Sequence, residues 1–233
     1  MKIADMNWMQ IEEYLKTDDR VVVPLGSVEQ HAYLSMAVDM ILAEKVAVDA
    51  AEPLGIPVYP AIPFGITPYF AGFAGTITLN VNTYTALIRD ILDSLKRSGF
   101  KRIVLVNGHG GNQPAQSAAA EWMLANPEVK VRFYNWWNAP KTLAKVREID
   151  PTSSHASWME NLPWTRLAHA NSPDQRKPAI DYQRYGVMNT QESKEYLGDG
   201  NFGGWYQRSA EEELEMWNIA VQETRDILEG PWC

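Results

Sequence analysis

The chain has one cysteine in 233 residues, Cys233 at its last position. A disulfide within the chain and a thiolate zinc site are thereby excluded. Any metal must be held by His, Asp and Glu. Long apolar runs are also missing; none reaches the roughly 18 residues that a membrane-spanning helix requires. Basic charge is in deficit, with 21 Lys and Arg against 29 Asp and Glu and a formal net charge of −8. That balance offers no electrostatic footprint for nucleic acid and no polybasic patch for a membrane surface. No charged-then-apolar secretory pattern opens the sequence, so a cytoplasmic location is expected. Nucleic acid and membrane are not expected partners.

What is present is a substantial apolar fraction, 45%, enough for one sizeable core. A single domain over residues 1–233 is expected. Asn7 reads as an N-cap for a short helix carrying Trp8, Ile11, Tyr14 and Leu15. Arg20 to Leu25 reads as a buried strand, followed by a helix from about Asp39 to Glu52. Pro57 to Ile62 and Thr76 to Leu79 read as further strands. Asn82 is the expected cap of the clearest helix, with Leu87, Ile88, Ile91, Leu92 and Leu95 forming its stripe and Gly99 its end. Arg102 to Val106 is a strand, Pro114 to about Asn126 a helix, and Val129 to Trp136 a strand. The pattern weakens between Pro140 and Gly204, with short helices expected near Thr142–Ile149 and Ser157–His169. So long a weakly patterned stretch suits a functional loop or an oligomer contact. Ala210 to Leu228 closes the pattern as a helix. Strands alternating with helices imply an α/β fold with a mainly parallel sheet and helices on both faces.

Two strand ends carry the chemistry. Leu105-Val106-Asn107-Gly108-His109-Gly110-Gly111-Asn112 runs from a β-branched strand into a glycine-rich turn with one histidine. Ligand sites of open α/β sheets collect at the carboxyl ends of strands. The turn lacks the Lys-Ser/Thr of a P-loop and the spacing of a dinucleotide fingerprint. Gly26-Ser27-Val28-Glu29-Gln30-His31 leaves its own strand, with Asp39 following. In extended geometry Glu29 and His31 point the same way. Two carboxylates and two imidazoles then suit a divalent ion with N and O ligands, such as zinc or manganese. Asp39 could equally cap a helix, and Glu29 and His31 could be a solvated pair.

Ser154-His155-Ala156-Ser157 and Glu160 form a further candidate. On a helix His155 and Glu160 would lie about 1.4 turns apart. His155 could shuttle a proton, or be a surface histidine with Glu160 a solvated carboxylate. His169 reads as surface. Tyr69, Trp136 and Trp137 are candidate pocket walls, although aromatics there suit a core equally.

These motifs in this order, together with Gly72-Phe73-Ala74-Gly75-Thr76-Ile77-Thr78-Leu79, resemble the creatininase (creatinine amidohydrolase) family over roughly residues 20–160. The resemblance implies a three-layer α/β/α sandwich and a binuclear centre of two divalent ions, Zn2+ and/or Mn2+, with Fe2+ also admitted. By position, Glu29 and His109 would hold one ion, His31 and Glu160 the other, and Asp39 both. His155 matches the acid/base position. It further implies a homo-oligomer, a hexamer in many members, and a small-molecule substrate whose C–N bond is hydrolysed by a water activated between the metals.

Departures bear on the substrate. Ala32-Tyr33-Leu34-Ser35-Met36 replaces the Gly-Pro-His-Leu-Pro that usually follows the first histidine, and the run to Asp39 is one residue short. Tyr69-Phe70 stands where members often have a histidine. Creatininase proper has a carboxylate at the position of Gly111, a tryptophan at that of Pro151, and a glutamate is usual at that of Trp158. The expected substrate is therefore a small polar cyclic amide other than creatinine. A cyclic ketone or lactone, such as an oxidised inositol, is the alternative. A non-catalytic metal-containing binding protein is the reading from another class.

Overall fold

The computed structural model describes residues 1–232; Cys233 lies outside the described residues. Three parallel strands form the central sheet in the order β1 (Arg20–Leu25), β2 (Arg102–Asn107), β3 (Lys130–Asn135). Alternate side chains of a strand face opposite ways, and β1 uses both faces. Val21, Val23 and Leu25 join Ile103 and Leu105 against one helical layer, while Val22 joins Val104 and Val106 against the other. The first layer is α3 (Val81–Ser98) with α4 (Pro114–Ala125); the second is α2 (Val38–Ala51), α5 (Pro140–Ile149) and α8 (Ala210–Glu229). This is the expected α/β architecture, with the sheet sandwiched between helices.

Local chemistry explains the elements. In α1 (Trp8–Tyr14), Asn7 accepts from the Gln10 N–H and Gln10 returns a bond to Asn7 N–H, a closed capping box. Helix α3 buries Tyr84, Ile88, Leu92 and Leu95 on one stripe and ends at Gly99, whose φ of 110° few side chains tolerate. Burying a large apolar side chain of this kind contributes about 1.5–3 kcal/mol. The helix begins earlier than the sequence suggests: Asn80, not Asn82, occupies the N-cap position.

Two expected strands are reduced to isolated bridges. Val58 and Ile62 run parallel beside Val22 and Leu25, but Pro57, Pro60 and Pro63 have no N–H to continue a ladder. Ile77 and Thr78 make single bridges to Val28 and Gly65. The helix expected over Ser157–His169 is also absent. Only a 3-10 turn, Trp158–Glu160, forms there, and Pro163 follows it closely. Downstream come β4 (Arg176–Lys177), α6 (Tyr182–Tyr185), α7 (Thr190–Leu197) and β5 (Gly204–Trp205). No described helix is long and apolar enough to cross a membrane.

Register sets the place of the site. Leu25 pairs with Asn107, so β1 and β2 end together and their two loops leave side by side. The Gly108 N–H donates to the Leu25 carbonyl at 2.8 Å. A Cβ at Gly108 would overlap the Asp39 carbonyl oxygen. Glycine there lets the start of α2 press against the end of β2.

Candidate metal centre

Five side chains converge beyond these strand ends. Glu29 and His31 come from the β1 loop, Asp39 from the first turn of α2, His109 from the β2 turn, and Glu160 from the 3-10 turn. All are buried, at 1% exposure for Glu29 and His31, 3% for Asp39 and His109, and 8% for Glu160. Their ligand atoms fall into two triads, Glu29–Asp39–His109 and His31–Asp39–Glu160, each within 4.8 Å. Asp39 belongs to both. Its Oδ1 is 3.1 Å from His31 Nε2 and its Oδ2 is 3.0 Å from His109 Nδ1. Glu29 Oε1 is 3.2 Å from His109 Nδ1, and Glu160 Oε2 is 3.8 Å from His31 Nε2.

Backbone carbonyls fix both imidazoles. His31 Nδ1 lies 3.2 Å from the Glu29 carbonyl, and His109 Nε2 lies 3.0 Å from that of Ile66. A carbonyl only accepts, so these nitrogens carry the protons. The opposite nitrogens face the carboxylates and are the ones whose lone pairs would be offered to a metal, the arrangement that orients a metal-binding histidine. The carboxylates are braced too. Ser27 Oγ donates to Glu29 Oε2 at 3.1 Å, and the Ala156 N–H donates to Glu160 Oε2 at 2.6 Å. Ala156 has φ 57° and Ala32 has φ 51°, the two non-glycine residues in the left-handed region among the described residues. That strained backbone follows directly on His155 and His31.

Three buried carboxylates packed together require positive charge. Burial lowers the pKa of His31, but Asp39, Glu160 and Glu29 outweigh it and raise it to about 9. The same contest ends with His109 well above its ordinary value, Glu29 and Asp39 prevailing over burial. Burial pushes Glu160 upward, while the two histidines hold Asp39 down against its own burial. Two atoms remain orphaned: His31 Nε2 and Asp39 Oδ2 are buried without a hydrogen-bond partner. Such atoms in an N/O cluster fit divalent ions of the zinc or manganese type.

His155 adjoins the cluster rather than completing either triad. Its Nδ1 is 3.9 Å from Glu29 Oε1, and with Glu29 and His31 it forms a third group of closely spaced ligand atoms. Its ring stacks on Phe70 at 4.7 Å and leans on Phe202 at 4.9 Å. Its Nε2 meets both the Gln30 amide nitrogen at 2.8 Å and the Gln30 carbonyl at 3.0 Å. Burial, then the neighbouring His31, hold its pKa well below the ordinary value. His155 and Glu160 share no helix, contrary to one sequence expectation.

A cavity of about 640 Å³ opens onto the cluster, within the range that holds small ligands. Tyr69 and Trp137 form part of its wall. Trp136 does not. It is 1% exposed in the core and packs edge-on against Trp217 at 5.7 Å. The turn after β3 sends adjacent tryptophans to opposite destinations. His169 is exposed, as read. Phe70, Phe202, Tyr185 and Gln30 gave no local signal of their roles around His155 and the cavity.

Comparison with known proteins agrees with this architecture. A family model described as creatininase, creatinine amidohydrolase, matches residues 4–228. The creatinine amidohydrolase of Pseudomonas putida is 29% identical over 162 residues, 64% of this chain and 62% of that protein. A mycofactocin precursor peptide peptidase of Mycolicibacterium smegmatis is 38% identical over 109 residues, 42% of each chain. A 3-dehydro-scyllo-inosose hydrolase of Thermotoga maritima is 26% identical over 147 residues, 61% of this chain and 47% of that one. The matches thus span less than two thirds of each curated relative. Among solved structures, a creatininase variant superimposes with TM-score 0.85 at 22% identity, covering 99% of this chain and 98% of that one. A manganese creatininase superimposes with TM-score 0.80 at 21% identity, with the same coverages.

Proposed function

This chain belongs to the creatininase family, and we propose that it is a metal-dependent hydrolase that cleaves a C–N bond in a small polar amide other than creatinine. One observation carries the reading: the two oxygens of Asp39 divide between His31 at 3.1 Å and His109 at 3.0 Å. A carboxylate so placed suits two divalent ions, with Glu29 and His109 on one side and His31 and Glu160 on the other. Ions bound there would supply Lewis-acid polarisation of a carbonyl and acidification of water. Zinc and manganese both fit the donor set.

The protein's own groups supply the rest. Burial and the neighbouring His31 hold the His155 pKa well below its ordinary value, which favours the neutral ring, and Gln30 holds that ring between Phe70 and Phe202. A neutral imidazole beside the cluster can accept a proton and deliver it to the leaving nitrogen. The aromatic walls limit water around it. Amide cleavage is favoured because two relatives are named as an amidohydrolase and a peptidase. Gly111, Pro151 and Trp158 argue against creatinine itself, since each replaces a residue typical of creatininase proper or its wider family. Ring opening of an oxidised inositol is the second reading, supported by the inosose hydrolase relative.

Chelator dialysis followed by assay on creatinine, small cyclic amides, short peptides and diketo-inositols tests the proposal. Activity should vanish on dialysis and return with Zn2+ or Mn2+. His155→Ala should keep its metal and lose roughly 10²–10⁴-fold in kcat. Full activity in metal-free protein would sink the reading.

A further inference from the structure

We infer that the substrate carries an anionic group, a carboxylate or phosphate, remote from the reacting carbonyl, and that Arg147 selects it. The inference rests on the hydrolase reading and names its substrate class.

Arg147 lies in the last turn of α5 and lines the cavity that opens onto the cluster. Among the described residues it is the only lysine or arginine in that wall. Its neighbours are otherwise engaged. Lys145, two residues earlier, pairs with Glu148 and Glu215 at 3.0 and 2.8 Å. Arg176 pairs with Asp150 at 2.8 Å, and Arg208 with Glu212 at 2.8 Å. No such partner is found for Arg147 among the described residues. A cation in a helix's last turn is favoured by the macrodipole, which explains its place on α5. The dipole does not explain why this guanidinium lines the cavity while nearby cations turn to carboxylates.

The charges within the cavity point the same way. Its carboxylates, Glu29, Asp39 and Glu160, are all committed to the ligand cluster. None is left over to answer Arg147. Arg147 is exposed where it meets the cavity, and a neutral molecule filling the cavity would leave its guanidinium without a partner there. An anionic substituent would pair it, and a guanidinium binds carboxylate or phosphate through two parallel N–H bonds. Thr152, Ser153 and Ser154 share the wall, and the Ser154 hydroxyl meets the Tyr182 hydroxyl at 2.8 Å. The Thr152 hydroxyl already donates to Asp150 at 3.0 Å, whereas the Ser154–Tyr182 pair spends one of its two protons internally and keeps the other for an anion.

Calorimetric titration of the zinc-loaded protein tests this with three probes: butyrate, glutarate and phosphonobutyrate. Each has one carboxylate for the metals; the last two add a second anion. Glutarate or phosphonobutyrate should bind about tenfold or more tighter than butyrate. The tighter of the two distinguishes carboxylate from phosphate. Arg147→Met should abolish the gain and leave butyrate affinity unchanged, while Arg147→Lys keeps part of it. Equal binding of all three probes, no binding of any, or a gain that survives in Arg147→Met would overturn the inference. Calorimetry reads binding alone, so the two ideas fail separately. An Arg147-dependent gain without turnover of any amide would sink only the hydrolase reading. Amide turnover without the gain would sink only this inference.

Discussion

A Cβ atom at Gly111 would overlap the backbone carbonyl oxygen of Ile66. That same oxygen accepts the His109 Nε2 proton at 3.0 Å and so fixes which ring nitrogen faces Glu29 and Asp39. The absence of a carboxylate at this position is therefore built into the backbone. The space is filled by the group that orients His109, and the third carboxylate of the cluster comes from elsewhere, at Glu160.

Gly111→Asp should therefore not restore a creatininase-like ligand. It should displace the Ile66 carbonyl or the His109 ring and weaken metal binding by about 10–100-fold, the usual effect of losing a group that orients a metal-binding histidine. Metal content after gel filtration, measured beside the thermal midpoint, checks this. A stable Gly111→Asp protein with full metal content would count against it.

Asp39 and Glu160 should behave differently because one serves both triads and the other serves one. Asp39→Asn is expected to leave almost no tightly bound metal. Glu160→Gln is expected to keep the ion at Glu29 and His109 and lose the other. Metal-to-protein stoichiometry near zero for the first and near one for the second, against two for the parent, is the expected result. Equal loss in both variants would contradict a bridging role.

Away from the site, Asp18 is clamped by two arginines, with Arg20 Nη2 at 2.6 Å and Arg102 Nη2 at 3.0 Å. Burial pushes its pKa up, but the Arg20 hydrogen bonds and the two positive charges prevail and hold it below the ordinary aspartate value. The sign follows from linkage. A carboxyl with a depressed folded-state pKa adds stability that is present above its unfolded value, about 3.9, and lost as pH falls through the folded one. Asp18→Asn should lower the thermal midpoint near pH 7 by roughly 2–4 °C, as suits about 1 kcal/mol from a partly exposed pair. The gap between parent and variant should close as the pH approaches the folded-state value. A gap that does not change between pH 7 and pH 3 would show that the ion pairs are not its source.

The sequence by itself determined the strands Arg20–Leu25 and Arg102–Asn107, the long helices, and the candidate ligands at the strand ends. Apolar periodicity, caps and glycine turns are local signals, each written within one contiguous stretch of chain. The order Glu29–His31–Asp39, then His109, then His155 and Glu160 was legible as a family resemblance; spacing alone left His155 and Glu160 open as surface residues. Tertiary structure alone decided how those residues meet. The parallel register of Leu25 with Asn107 brings two loops together that are more than seventy residues apart. The close approach of α2 at Gly108 puts Asp39 between two histidines. Trp136 and Trp137 part company at a turn whose direction no spacing encodes. Phe202 and Tyr185 reach the cavity from a weakly patterned region, and Arg147 from a short helix whose pattern does not say what its last turn faces. Periodicity reports which face of an element is buried; it carries no record of which distant element buries it, and a binding site is made of such distant meetings.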